Sequence, residues 1–298
     1  MKNMIRRLQS RSRHARDRMA DISLFAPISA SPGDVLTAPP PESLLAPSAL
    51  PYLAEVVIVL PVYNEQACIE RTLNAIEAYL ENHPNYIFLF VNDGSRDRTA
   101  AILTEHIRTV DHHQIQLLSY QPQGGKGHAI RTGMRCSQSE LPGNFFCFLD
   151  SDLAYSLDHL DLLIEQLYED EVVIGCRNQV AASLQRVSPL RKVAGKIYNW
   201  FSRAILGLSY RDMQAGLKGF RREAAQVLFA KQRLTGFSFD VELIYLAHKW
   251  GFSIGEIPAT VSKSHQAKVS KVNLLQDSLK MLLDLLKIRW NDLLGRYC

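Results

Sequence analysis

Long hydrophobic runs are missing from this sequence. Across 298 residues no stretch approaches the ~20 consecutive apolar residues that a membrane-spanning helix needs, and no apolar segment follows the arginine-rich start. The expectation is a chain that stays on the cytoplasmic side and does not itself cross a bilayer. Cysteine is also scarce. The five present (Cys68, Cys136, Cys147, Cys176, Cys298) are odd in number and widely spaced, which argues against a disulfide framework or a zinc site and suits a reducing compartment. His112-His113 follows Asp111 with nothing nearby to complete a metal set, so these read as surface histidines. Excess charge is missing from most of the chain. Of the net +4, residues 1–20 supply +6, from seven basic side chains against Asp17, and the remainder carries −2. No basic run interleaved with aromatics follows the tail, so nucleic acid is not an expected partner. The tail itself has two readings: Met4 to Met19 lies against anionic lipid, where each basic residue contributes about 1 kcal/mol, or it is simply solvated.

With 47% hydrophobic and 21% charged residues, the chain suits a globular α/β protein. Residues 21–51 are rich in Ala, Ser and Pro, including Pro39-Pro40-Pro41, and read as a linker. The expected division is therefore 1–51, a basic tail and linker, and 52–298, a folded domain. From Glu55 apolar β-branched runs alternate with helical patterns: strands over Glu55–Leu60, Tyr86–Val91, Ile115–Ser119, Phe145–Leu149 and Val172–Gly175, helices over Glu65–Glu81, Thr99–Thr109 and His128–Cys136. Strand–helix alternation predicts an open, mostly parallel sheet flanked by helices, with ligands beyond the carboxyl ends of its strands.

Polar clusters sit at those ends. Pro61-Val62-Tyr63-Asn64-Glu65 follows the first strand, Asn92-Asp93-Gly94-Ser95 the second and Asp150-Ser151-Asp152 the fourth. Glu65 and Asp93 are suited to accept hydrogen bonds from ribose hydroxyls and a base N–H. Two carboxylates at i and i+2, Asp150 and Asp152, suit an octahedral Mg²⁺ or Mn²⁺ whose remaining ligands come from a diphosphate, and such an ion stabilises charge on a departing nucleoside diphosphate. The other reading is that these aspartates cap the helix starting near Leu157. In Gly124-Gly125-Lys126-Gly127, Gly127 stands where a Walker loop needs Ser or Thr, so an ATPase is not expected. Either Lys126 faces the nucleotide from a glycine turn, or the segment is a plain strand-to-helix turn.

Taken in order with Gly175-Cys176-Arg177, these motifs resemble glycosyltransferase family 2, of GT-A fold, and within it the polyprenyl-phosphate sugar synthases, over about Val56 to Tyr297. The resemblance implies a nucleotide site lined by Pro61, Tyr63, Glu65, Asp93 and Lys126, with Asp150 and Asp152 holding metal and diphosphate. Asp212-Met213-Gln214-Ala215-Gly216-Leu217-Lys218-Gly219-Phe220 and Phe237-Ser238-Phe239-Asp240-Val241-Glu242 resemble the dolichyl-phosphate β-glucosyltransferase branch, as does the stretch from Ser270 to Arg289. Asp240 and Gly195, where mannosyl synthases would carry Gln and Ser, favour glucose on UDP over mannose on GDP. Ala215 and Leu217 depart from the Cys and Phe usual in the glucosyl branch.

That resemblance implies an inverting transfer to a polyprenyl or dolichyl phosphate. A phosphate monoester has its second pKa near ~6, so the acceptor arrives as an oxyanion and needs cationic positioning rather than a general base. Arg177 and Arg191 match the family positions for this, with Lys192 a helper; Arg191 has a second reading as a solvent-facing helix residue. Asp212 and Gln214 are candidate catalytic residues. Asp240 and Glu242 could contact sugar hydroxyls, the lipid phosphate surroundings or basic side chains of the site, or be structural. Pro189–Leu208 patterns as an amphipathic helix suited to an anionic interface, through Ile197, Trp200, Phe201, Ile205, Lys196 and Arg203, which predicts a peripheral protein at the cytoplasmic face of a membrane, alone or with a membrane partner. Val272–Trp290 patterns as a second such helix, with Leu275, Leu279, Leu282 and Leu286 on one stripe expected to pack on the core. Lys263, His265, Lys268 and Lys271 form a basic loop that closes over the diphosphate or stays solvated. Competing readings are a family 2 transferase using GDP-mannose or a soluble or polysaccharide acceptor, and a non-catalytic nucleotide-binding subunit of a membrane complex. Removal of residues 1–50 is expected to leave catalysis in solution largely intact; loss of donor binding, measured by nucleotide titration, would contradict the placement of the domain.

Overall fold

The computed structural model describes residues 42–43, 55–109, 113–177, 189–261 and 274–298, with side chains described outside 42–43, 189–196 and 274–279. The basic tail, most of the linker, His112 and the Lys263–Lys271 loop lie outside the described residues. Of Arg191 and Lys192 only the helical backbone is described.

Among the described residues, eight strands form one sheet in the order β1-β4-β3-β2-β5-β7-β6-β8. They are β1 (Glu42–Ser43), β2 (Val56–Val62), β3 (Tyr86–Asp93), β4 (Ile115–Tyr120), β5 (Phe145–Leu149), β6 (Val172–Cys176), β7 (Leu217–Arg221) and β8 (Ile254–Pro258). β2 lies parallel to β3 and to β5, β3 to β4, and β6 to β8. Within the stretch expected to be linker, Glu42 and Ser43 pair antiparallel with Ser119 and Leu118.

Period-two alternation decides which layer each strand residue serves. Val57 and Val59 of β2 face one core with Leu89 and Val91 of β3 and Phe146 and Phe148 of β5. Helices α3 (Lys126–Glu140), α6 (Arg222–Lys231) and α7 (Phe239–Lys249) cover that side. Val56, Ile58 and Leu60 face the opposite core, covered by α1 (Ile69–Leu80), α2 (Thr99–Thr109) and α4 (Asp158–Leu167). With both faces buried, the central strands are continuous hydrophobic runs. Helix α1 buries Ile69, Leu73, Ile76 and Leu80 at helical spacing. It begins four residues later than the expected Glu65, because Asn64 adopts a left-handed φ of 53° and the Glu65 amide donates outward to Thr99 Oγ1 at 2.9 Å.

Strand β7, like β8 and α6, is an element the alternation does not announce. It runs antiparallel between β5 and β6, and brings the chain back into the sheet after α5 (Pro189–Leu206). Its Lys-Gly centre disguises it. Lys218 is fully buried, and Gly219 lies under α4, where an added Cβ would sit 2.1 Å from Leu163 Cδ2 and 2.8 Å from Leu167 Cδ1.

Helix α8 (Leu274–Leu293) packs with α5 and serves two environments. Leu285 and Ile288 are buried in the core with Leu282 packed against it, whereas Leu286, expected on the core-packing stripe, is exposed with Leu283, Trp290 and Leu293, because the inward face of the helix lies one residue away; Ile197 and Trp200 of α5 are exposed as well. No helix among the described residues is long and apolar enough to cross a membrane. Gly219→Ala is expected to cost about 1–3 kcal/mol by overpacking β7 against α4, read as a lowered thermal midpoint; an unchanged midpoint would show that α4 shifts freely.

Candidate active site

Because β7 is antiparallel to both neighbours, β2, β3, β5 and β6 all end on one rim, and β7 starts there. The polar clusters read from the sequence therefore meet at that edge, together with the Asp212–Gly216 approach to β7.

Asp150 leaves β5 directly. The turn behind it is closed by Leu153 N donating to Asp150 O at 3.0 Å, with Leu153 at φ 50°, and by Ala154 N donating to Asp152 Oδ1 at 3.2 Å. Thr72 of α1 donates to Ser151 O at 2.7 Å and holds the turn from below. Neither aspartate caps α4: its N-cap residue is Leu157, with no side-chain cap bond. The capping interpretation is thereby removed. Asp150 Oδ1 lies 2.5 Å from Lys126 Nζ. Burial works to lower the Lys126 pKa, but Asp150 and then Asp240 outweigh it and hold the ammonium above its usual range. On the other side of Asp150, a Cβ on Gly216 would lie 2.2 Å from Oδ2, so only glycine leaves the carboxylate its place.

Lys126 opens α3 from a glycine turn fixed on two sides. Asp93, buried at the end of β3, accepts Gly124 N at 2.6 Å on Oδ1 and Gly125 N at 2.9 Å on Oδ2, with Tyr120 OH donating to Oδ1 at 2.7 Å. The contact raises the Tyr120 pKa, through burial first and Asp93 second. The nucleotide role expected of Asp93 thus comes with a positioning duty. Across the turn, Thr235 O accepts Gly127 N at 2.8 Å. Gly125 has φ 96°, and a Cβ there would meet Thr235 O at 2.8 Å.

The β2 end supplies Pro61, Tyr63 and Glu65, all half-buried at the rim. Asn64 N donates to Ser95 Oγ at 3.0 Å and Asn64 Oδ1 accepts Arg96 N at 2.8 Å, stitching the β2 and β3 loops together. Glu65 Oε2 accepts the Cys68 thiol at 3.0 Å.

Arg177, just past β6, forms a two-pronged pair with Asp212: Nε to Oδ2 at 2.7 Å and Nη2 to Oδ1 at 2.9 Å, with Arg177 N also donating to Oδ2 at 3.1 Å. Gln214 N donates to Asp212 Oδ1 at 3.1 Å. Asp212, expected as a catalytic residue, sits in the structure as the anchor of Arg177. Burial works to raise the Asp212 pKa, and the Arg177 guanidinium more than offsets it, so the carboxyl is held below its usual range.

Sequence reading passed over three groups that join these pieces. Tyr155 is buried among them; burial, opposed by Arg177 and Lys126 and aided by Asp212 and Asp150, pushes its hydroxyl up to about 12. Lys218 Nζ lies 2.6 Å from Asp240 Oδ1 and donates to Ala215 O at 2.6 Å. Burial drives Lys218 down and Asp240 up against their mutual attraction. Gly216 is the third. Asp240, whose role was left open, thus addresses a basic side chain. No cluster of three or more His, Cys, Asp or Glu positioned to hold a metal occurs among the described residues, so any cation here relies on the Asp150 and Asp152 oxygens and on its ligand.

An open, mostly parallel sheet with paired acidic and basic side chains along one rim has the architecture of a GT-A fold. Residues 57–229 match the model for glycosyl transferase family 2, and the chain belongs to that family. It is similar to a dolichyl-phosphate beta-glucosyltransferase of Trichomonas vaginalis, 31% identical over 77% of this chain and 69% of that one. A protein of the same description from Saccharomyces cerevisiae is 30% identical over 80% of this chain and 75% of its own length. Among solved structures, mannosyl-3-phosphoglycerate synthase from Rubrobacter xylanophilus aligns with a TM-score of 0.57 at 19% identity, covering 82% of this chain and 75% of that one. Glucosyl-3-phosphoglycerate synthase from Mycobacterium tuberculosis, crystallised with Mn²⁺, UDP and glucosyl-3-phosphoglycerate, aligns at 0.52 and 17% identity over 82% and 80%. These two share the fold.

The Arg177–Asp212 pair has a stated pH signature. Since the native Asp212 pKa lies below its unfolded value, its contribution to stability is complete above about pH 4 and is lost as pH falls through the native value. Asp212→Asn is therefore expected to destabilise the protein in urea melts at about pH 7, with a gap from wild type that narrows at about pH 3. An equal gap at both would contradict the charged pair.

Proposed function

We propose that this glycosyltransferase moves glucose from UDP-glucose to a polyprenyl or dolichyl phosphate with inversion at the anomeric carbon, using Mg²⁺ or Mn²⁺. The observation that carries the reading is the Asp150 carboxylate, set between Lys126 and the Cβ-free face of Gly216 at the sheet rim. Asp150 and Asp152 offer an all-oxygen, two-carboxylate donor set that no helix requires for capping, which fits a hard divalent cation sharing its remaining positions with a diphosphate. When bound, that ion neutralises charge on the leaving nucleoside diphosphate. Lys126 supplies a permanent positive charge beside the same oxygens.

Arg177 is the cation for the acceptor. Asp212 fixes its guanidinium by two oxygens, so the fork is oriented before the acceptor arrives, and little side-chain freedom remains to be lost on binding. Arg191 and Lys192, on α5, are the further candidates. The glucosyl specificity and the lipid phosphate rest on the similarity to the dolichyl-phosphate beta-glucosyltransferases. Peripheral association with a membrane, proposed at its cytoplasmic face, is supported as to the association by the exposed apolar residues of α5 and α8, among which Lys280, Lys287 and Arg289 stand exposed.

The test is sugar transfer from labelled UDP-glucose, UDP-N-acetylglucosamine and GDP-mannose into an organic-extractable polyprenyl-phosphate product. UDP-glucose is expected to dominate. Transfer to a water-soluble acceptor with none to polyprenyl phosphate would sink the lipid reading. Asp152→Asn and chelation of divalent ions are each expected to lower turnover by about 100-fold or more, with the Asp152→Asn thermal midpoint close to wild type. Full turnover in either case would remove the metal role, whereas no transfer from any donor by the wild-type protein would favour a non-catalytic nucleotide-binding subunit.

A further inference from the structure

Two acidic side chains on the first turn of α7 are buried and do different work. Asp240 meets Lys218. Glu242, fully buried, turns the other way: its carboxylate accepts Arg233 N at 3.1 Å, Leu234 N at 2.8 Å and the Tyr297 hydroxyl at 2.5 Å. A carboxylate taken out of water is costly unless several donors converge on it, and here three do. Two of them are consecutive backbone amides, so the carboxylate fixes the course of the 232–236 loop rather than a single side chain.

That loop is the seat of the glycine turn. Thr235 O accepts Gly127 N at 2.8 Å and His128 N at 3.3 Å, and Gln232 Nε2 donates to Gly127 O at 2.9 Å. Backbone meets backbone with no slack, since a Cβ on Gly127 would lie 2.9 Å from Leu234 O and 3.0 Å from Gly236 O. One residue away, Lys126 reaches Asp150. A continuous series of bonds thus runs from Tyr297, beyond α8, through Glu242 and the 232–236 loop to the lysine of the donor site.

We propose that Glu242 and Tyr297 are positioning residues for donor binding: together they hold the 232–236 loop and so set the Gly124–Gly127 turn, with Lys126, against the diphosphate of the nucleotide. The proposal rests on the donor site described above. It assigns Tyr297, about 170 residues from Lys126 in sequence, a share in donor affinity although it touches no reactant. The displacement it prevents is small, but a charged contact at a diphosphate is sensitive to shifts on the order of 1 Å.

Tyr297→Phe deletes one hydroxyl and keeps the buried ring. The expected result is a UDP dissociation constant, measured in the presence of Mn²⁺, raised about fivefold, with the donor KM rising in step and kcat and acceptor KM within about twofold of wild type. Faster amide exchange is expected at Gly127 and His128. Asp292→Asn is the comparison, because Asp292 anchors α8 to Tyr245 and Lys249 without touching Glu242. It is expected to lower the thermal midpoint while UDP affinity and exchange at Gly127 and His128 stay at wild-type values. Unchanged UDP affinity in Tyr297→Phe, or an equal loss in Asp292→Asn, would overturn the positioning role while leaving the donor site standing. A wild-type protein that binds no UDP would overturn the donor reading and this assignment with it.

Discussion

A lysine and an aspartate brought to 2.5 Å at the end of a buried strand set the terms for everything around them. Asp150 is carried on β5, between β2 and β7, so its backbone cannot move without disturbing the sheet. Lys126 comes from a helix start on a glycine turn, a far less constrained element, and most of the local structure goes into making that turn as fixed as the strand. Asp93 takes two of its amides, Thr235 takes two more, and Gln232 takes its carbonyl. Close approach by the rest of the chain is possible because Gly125, Gly127 and Gly216 present no Cβ at the points of contact. Glycine here serves proximity as much as conformation.

Charge inside this protein is arranged in alternation. Burial alone would neutralise Lys218 and Asp240, and a lone buried ammonium would be untenable in the middle of a strand. It is tolerated because Asp240, Ala215 O and the face of Phe148, 5.5 Å from the ammonium, surround it. The same Asp240 is felt by Lys126 and by Arg177, and Tyr155 feels both the Lys126–Asp150 and the Arg177–Asp212 pairs. The two ends of the site, one suited to a diphosphate and one to a phosphate monoester, therefore share an electrostatic environment and are not independent ion pairs set on a scaffold.

Much of this was legible in the residues themselves. The parallel strands announced themselves as uninterrupted apolar runs, and Phe145–Leu149 and Thr99–Thr109 occupy the ranges their patterns predict. Asp150 and Asp93 were legible because residues directly after parallel strands line a shared rim, Lys126 because it sits in a glycine turn, and Arg177 through its family position. Strand β7 was not, since Leu-Lys-Gly-Phe-Arg lacks the apolar alternation of a strand when its lysine is satisfied by a partner 22 residues on. Gly216 and Tyr155 could not be found for a related reason: their importance lies in distances to groups remote in sequence. The division of labour between Asp240 and Glu242 was likewise hidden. Both are acidic residues near a helix start, and only the packing of α7, buried almost all round, sends them to different partners.

Helix α8 shows how one element can be read two ways from sequence and satisfy both. Its leucines recur at helical spacing on more than one face, so a pattern argument must choose between core and interface. The structure divides them, with Leu285 and Ile288 inward and Leu283, Leu286, Trp290 and Leu293 outward. An outward apolar stripe on a helix already anchored by its inner face contributes nothing to folding, because the core would be as well packed with polar residues there. The exposed cations among those residues, Lys280, Lys287 and Arg289, suit the anionic membrane surface proposed above. Such a surface is where a lipid phosphate resides, so the exposure of α8 agrees with the acceptor proposed from the similarity to the dolichyl-phosphate beta-glucosyltransferases.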